Sequence, residues 1–168
     1  MDAASLRDLV GYQDLASAGL TRRQFERLVE AEEYERIAPG QFVRSGATDD
    51  TTAAWMAIAT KRPQATLCLL TALSIHDLTD EIPARSNIAI PRGAKPLTAW
   101  TAPIAWHHFD AATFDIGRAE HALPDGRAIG IYDPERTIID LFRLRHEWGS
   151  DIAIDSLKRW LCVRKSSS

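Results

Sequence analysis

Between Gly19 and Arg44 the chain carries an ordered run of local signals that few folds satisfy. Gly19 suits the left-handed position that closes a helix. Thr21 with Gln24 three residues on forms a capping box, in which each side chain bonds the other residue's backbone amide. Phe25, Leu28 and Val29 then supply an apolar stripe at helical spacing, opposite a face of Arg22, Arg23, Glu26, Arg27 and Glu30. Pro39-Gly40 is a strong turn signal, flanked by Ile37 on one side and Phe42 and Val43 on the other, which reads as a small hairpin. Upstream, Leu6, Leu9 and Val10 sit at i, i+3, i+4 and suggest a first short helix, and Asp14 to Ala18 a second. Short helices followed by a hairpin give the plan of a winged helix-turn-helix.

The remainder reads differently. Ser45 to Asp50 is a polar linker, and Asp49, Asp50 and Thr51 can cap a helix carrying Trp55, Ile58 and Ala59, which Pro63 stops. Leu67 to Leu78 reads as a buried helix. Asn87 to Ile90, Ile104 to Phe109 and Ala128 to Tyr132 read as strands. Asp133-Pro134 opens another helix with proline at its first position, and Ile154, Leu157 and Leu161 mark a last one. The expected fold class is α+β, with a winged helix-turn-helix at 1–46 followed by a mixed α/β domain at 47–168.

Composition limits the function classes. The 168 residues are 45% hydrophobic and 26% charged, enough for a packed core and unlike a disordered chain. No apolar run reaches membrane-spanning length. The N-terminal stretch MDAASLRDLV reads as no signal peptide. Cys68 and Cys162 form neither a disulfide framework nor a metal knuckle, so a reducing cytosol is expected. The tail at 165–168 is expected to fray. The net charge of −3 excludes nucleic-acid binding by bulk charge. Residues 1–48 hold six arginines against eight acids, so a DNA-binding role must rest on where the arginines sit.

Their placement is specific. In a helix-turn-helix the N-terminal end of the second helix enters the major groove. There Arg22, Arg23 and Arg27 can bond guanine O6 and N7 bidentately, and the helix-end amides favour phosphate. Arg36, Gln41 or Arg44 would lie against the backbone from the wing. The plainer alternative is a solvated face paired with Glu26 and Glu30. The acidic run Glu30, Glu32, Glu33 and Glu35 repels phosphate beside the wing and makes binding strongly salt-dependent.

Five segments carry a family resemblance. They are Tyr12 to Phe25, Arg36 to Phe42, Leu70 to Pro83, Asn87 to Gly93 and Asp133 to Arg143, in that order over residues 12–161. Together they resemble AbiEi-type antitoxins of type IV toxin–antitoxin systems. The resemblance implies a bacterial cytosolic protein that binds inverted repeats in double-stranded DNA upstream of its own operon and represses it. It also implies that the second domain counters a nucleotidyltransferase toxin without a stable complex. Carried over by position, the DNA contacts fall on Thr21, Arg22, Arg23, Gln24, Arg27, Arg36, Gln41 and Arg44. No catalytic residue, metal or cofactor is expected. The alternative is a winged-helix regulator with a ligand-sensing or dimerising second domain and no toxin.

Other chemistry is less supported. His107 and His108 are adjacent, so in a strand they point to opposite faces and do not easily share one ion. A small hydrolase or nuclease using His107, His108, Asp110 and His121 remains a third reading. Phosphate-loop, nucleophile-elbow and zinc-hydrolase motifs are lacking, as is the nucleotidyltransferase signature of the toxin. Trp100 and Trp106 suit core packing, or a partner surface. Arg85, Arg92 and Lys95 suit a solvated edge, or an extended DNA face.

Overall fold

The computed structural model describes residues 6–166; the first five residues of the N-terminal stretch, and 167–168 of the tail expected to fray, lie outside it. Leu6 to Val10 does not form the helix that its spacing suggests. Leu9–Gly11 is a strand, β1, paired antiparallel with Gln41–Arg44 (β3). Three apolar residues at i, i+3, i+4 fit a helix, but Leu9 and Val10 are also consecutive strand positions that face opposite ways. Leu9 enters one buried cluster with Ile37 and Val43, and Val10 enters another with Phe25, Tyr34 and Phe42. Burial on both faces settles the strand.

The expected helix at Asp14 to Ala18 is a 3₁₀ turn, Tyr12–Asp14, followed by further turns. The Gly11 amide donates to the Asp14 carboxylate at 2.7 Å, so capping occurs a turn early. Gly19 closes the segment at φ +69. Then come α1 (Arg22–Glu30) and β2 (Tyr34–Ala38), which joins β3 through Pro39-Gly40 with Gly40 at φ +68. The sheet order is β1–β3–β2, with a bulge between Arg36 and Ala38.

Asp49 caps α2 (Asp50–Lys61), accepting from the Thr52 amide at 3.0 Å. The chain continues through β4 (Thr66–Leu67), α3 (Leu69–Ile75), β5 (Ser86–Pro91), β6 (Ile104–Phe109), β7 (Arg118–Ala122) and β8 (Ala128–Tyr132). It ends with α4 (Pro134–Arg143), α5 (Arg145–Trp148) and α6 (Ser150–Ser166). The architecture is α+β. The expected strands at 87–90, 104–109 and 128–132 are present within a five-stranded mixed sheet of order β6–β5–β4–β8–β7. β4 and β7 are additions. The helix expected from Leu67 starts at Leu69, because Thr66 and Leu67 pair with both β5 and β8. Leu69 makes the strand-to-helix turn at φ +49, fully buried.

Neighbouring strand residues divide between two cores. Leu67, Ile88 and Ile131 pack with Ala53, Met56 and Ala57 of α2, whereas Cys68, Ala89 and Tyr132 pack with Leu73 of α3, Leu141 of α4 and Ala153 of α6. The α2 core also takes in Leu9, Ile37 and Val43 of the small sheet, so α2 is shared by both sheets. Bonds cross the same junction: Thr101 N–H and Oγ1 both donate to Ile37 O, at 3.1 and 3.4 Å, and Lys61 Nζ to Pro39 O at 3.1 Å.

Asp133-Pro134 starts α4 as read, with the Asp133 carboxylate accepting from Arg136 N at 2.7 Å. The Arg136 side chain runs into the core and meets Asp140 at 2.8 Å. Its Nη1 donates to Thr113 O and Ile116 O, and the guanidinium sits 4.6 Å from the centre of the Tyr132 ring.

Candidate nucleic-acid interface

α1 is anchored by Phe25, which is fully buried, with Leu28 and Val29 half-buried beside it. The capping box forms as read: Gln24 N–H donates to Thr21 Oγ1 at 3.3 Å and Thr21 N–H to Gln24 Oε1 at 2.8 Å. With the stripe inward and the cap closed, Thr21, Arg22, Arg23, Gln24 and Arg27 are all exposed.

The three arginines of α1 are not equivalent. Arg22 bonds Glu26 at 2.9 Å and lies 4.3 Å above the Tyr12 ring; both raise its pKa, the Glu26 bond most. Arg23 and Arg27 lie one turn apart, and among the described residues neither side chain has an ion-pair or hydrogen-bond partner. Like charges four residues apart on a helix repel, so this stripe gains from any anion brought against it.

The hairpin residues divide too. Arg36 is exposed, its Nε 3.4 Å from Ala38 O. Gln41 is only 3% exposed and its amide donates to Gly40 O, so it does not reach the surface. Its position opposite Gly11 in the middle strand turns it inward. Arg44 is engaged with Asp8 at 3.2 Å and Leu6 O at 2.9 Å, and lies over the Tyr34 ring. It holds the chain before β1 against β3. The exposed set therefore comprises Thr21, Arg22, Arg23 and Gln24 at the start of α1, Arg27 in its last turn, and Arg36.

Glu30, Glu32, Glu33 and Glu35 are exposed as well. Glu30 ends α1, about 13 Å along the helix axis from Thr21, and the other three follow it. Arg22 and Arg23 stand at the N-terminal end, where the helix dipole adds to their charge, while Arg27 lies in the last turn, close to the acidic run. Two contributors were missed in the sequence. Tyr12 supports Arg22, and Lys61 reaches the hairpin turn from α2. Both contacts join separate elements and leave no local signal.

The histidines serve separate contacts. His107 Nε2 lies 3.0 Å from Asn87 Oδ1, His108 Nε2 3.1 Å from Ala94 O, and His121 packs edge-on to Trp55. Among the described residues no group of three or more His, Cys, Asp or Glu gathers to hold a metal. Asn87 Nδ2 donates to Thr71 Oγ1 and Arg85 O, which leaves its Oδ1 to accept from a neutral His107. Burial lowers the His107 pKa; Glu147 opposes this and His108 adds to it.

Unfolded, His107 regains a pKa of about 6.5 and binds a proton that the folded protein refuses. Stability from this site is complete above that value and is lost as pH falls below it. Urea unfolding midpoints should therefore drop between pH 7.5 and 5.5, and His107→Gln should flatten the drop. An equally steep drop in the variant would contradict this assignment.

Trp100 and Trp106 pack against the α2 core, and Arg85, Arg92 and Lys95 are exposed. No described helix is long and apolar enough to cross a membrane. Compared with protein-family models and with curated proteins, the chain matches none.

Proposed function

We propose that the protein is a winged helix-turn-helix autorepressor that binds double-stranded DNA through α1, and that it is the antitoxin of a type IV toxin–antitoxin operon. The observation that carries the DNA-binding reading is the unpaired Arg23–Arg27 stripe on the exposed face of a capped helix. The small sheet supports it: a helical turn and α1 lie between β1 and the hairpin, in the order β1–β3–β2. The antitoxin reading rests on the family resemblance of residues 12–161.

In this reading α1 enters the major groove at its N-terminal end. Arg23 and Arg27 reach base edges, Arg22 is steadied by Tyr12 and Glu26, and Thr21 and Gln24 approach phosphate. Arg36 meets the backbone from the hairpin. Glu30 and the glutamates after α1 oppose phosphate. The rest of the chain counters a nucleotidyltransferase toxin without forming a stable complex with it.

Gel-shift titration with the DNA upstream of the protein's own gene, at two salt concentrations, tests the first claim. Arg23→Ala should weaken operator binding by about 1–3 kcal/mol if it reads a base. If it meets only phosphate, specific and non-specific binding should fall together, and the slope of log K against log salt should shrink by about 0.9. Equal affinity for the upstream and a scrambled duplex, or unchanged binding in Arg22, Arg23 and Arg27 variants alike, would defeat the DNA-binding reading. Co-expression with the product of a neighbouring nucleotidyltransferase gene tests the second claim, which fails if growth arrest is not relieved.

A further inference from the structure

The five-stranded sheet ends on β6 at one side and β7 at the other. β7 is guarded as edge strands usually are, by the charged side chains of Arg118 and Glu120. β6 has no such guard. Its residues, Ile-Ala-Trp-His-His-Phe, include no carboxylate, lysine, arginine or proline. They run beside β5 without a bulge, from Ser86 opposite Ile104 to Pro91 opposite Phe109.

Which backbone groups lie open follows from the bonds at the two ends of β6. Ser86 N–H donates to Pro103 O at 2.9 Å, and Arg92 N–H to Phe109 O at 2.7 Å. Along a strand the backbone groups of alternate residues point the same way, so Pro103, Ala105, His107 and Phe109 turn toward β5. Ile104, Trp106 and His108 turn outward. Among the described residues their N–H and C=O groups have no partner. Trp106 lies beside Ile88 and packs with Ile104 against the α2 core, so the side chains of these three residues stand on the α2 face of the sheet.

We propose that β6 pairs antiparallel with β6 of a second copy of this chain, about a two-fold axis at Trp106, joining two five-stranded sheets into one. The open groups select this partner and this register. With Trp106 opposite the partner's Trp106, Ile104 stands opposite the partner's His108, and each opposed pair exchanges both of its bonds. Every outward donor and acceptor of both edges is then met. Centring on Ala105 instead leaves His108 facing a residue beyond the strand, and centring on His107 does the same to Ile104. An identical strand brings no charge against this one, and it sets two indole rings side by side, a favourable cross-strand pair. One short ribbon buries less than the roughly 1,200 Å² of a stable complex, so the dimer forms only above about 10 μM. An axis normal to the sheet places α2 and the small sheet of both copies on the same side. That arrangement suits an inverted repeat, a use that rests on the autorepressor reading; the pairing itself does not.

The test is sedimentation equilibrium of the full chain without DNA, from about 5 μM to about 1 mM. A reversible dimer should appear, and His108→Pro should raise its dissociation constant at least about tenfold. Proline removes an outward N–H from each edge and is tolerated where that N–H faces solvent. The register is read separately in a Cys162→Ser background. Ile104→Cys and His108→Cys chains, mixed, should form a disulfide across the pair, where a Cα separation of about 5.5 Å suits one. Neither variant alone should cross-link. The mixture decides the matter if His108→Pro does not fold. A chain that stays monomeric at the highest concentration would overturn the proposal. So would a dimer that folded His108→Pro leaves intact, or a mixture that cross-links no faster than either variant alone. A β6 dimer that binds no DNA would leave the pairing standing and defeat only the autorepressor reading.

Discussion

Arg136→Met should destabilise the protein by about 3–5 kcal/mol, the usual consequence of removing one partner of a buried ion pair. That corresponds to a fall in melting temperature on the order of 10 °C for a chain of this length. Asp140 is 2% exposed and receives Arg136 Nε at 2.8 Å. Without Arg136 its charge keeps only Arg143, which approaches from solvent. Arg136 also closes the 111–117 loop by donating to Thr113 O and Ile116 O, and both bonds are lost with it.

The double variant Arg136→Met/Asp140→Leu should recover much of the loss, because it removes the stranded charge along with the pair. Arg143→Ala, at an exposed position, should change stability by less than about 1 kcal/mol. Urea unfolding followed by circular dichroism measures all three. An Arg136→Met unfolding free energy within about 1 kcal/mol of the parent would mean that the pair is not holding this core.

Phe25→Ala should cost about 3–5 kcal/mol and, unlike Arg23→Ala, should remove stability and DNA binding together. Phe25 is the one fully buried side chain of α1, its ring 5.3 Å from Tyr34, 5.1 Å from Phe42 and 6.4 Å from Tyr12. These are edge-on or tilted contacts of the kind that add to simple burial. Tyr12 in turn carries the Arg22 guanidinium, so the cavity left by Phe25 loosens both the seat of α1 and one of its cations. Arg23→Ala touches no buried group and should leave the unfolding free energy within about 0.5 kcal/mol of the parent. The contrast separates a helix that is misplaced from one that has lost a contact. An unchanged midpoint in Phe25→Ala would show that α1 is seated by other residues.

Elements whose ends are marked by local chemistry were legible in the sequence. The Thr21–Gln24 box, the Pro39-Gly40 turn, the Asp49 cap and Asp133-Pro134 each state a boundary in adjacent residues, and each boundary lies where it was read. β7 was hidden because Arg118 to Ala122 lies at a sheet edge and has little apolar alternation to display. β4 was hidden because its two residues merge into the leucine-rich run of α3. Among the candidate contact residues, the α1 arginines were legible as an outward face. The inward turn of Gln41 and the engagement of Arg44 with Asp8 were not, since both depend on β1 pairing with β3.

What the sequence determined by itself is therefore local: which helices are capped and where, which turn makes the hairpin, and which face of α1 bears charge. These follow from hydrogen bonds and spacings within a few residues of one another. The tertiary structure alone decided that Leu9 to Gly11 is a strand, that α2 serves both sheets, and that Arg136 is buried against Asp140. Each of those outcomes depends on burial or pairing with residues many positions away, and a short apolar or charged segment carries no record of the surface it will meet.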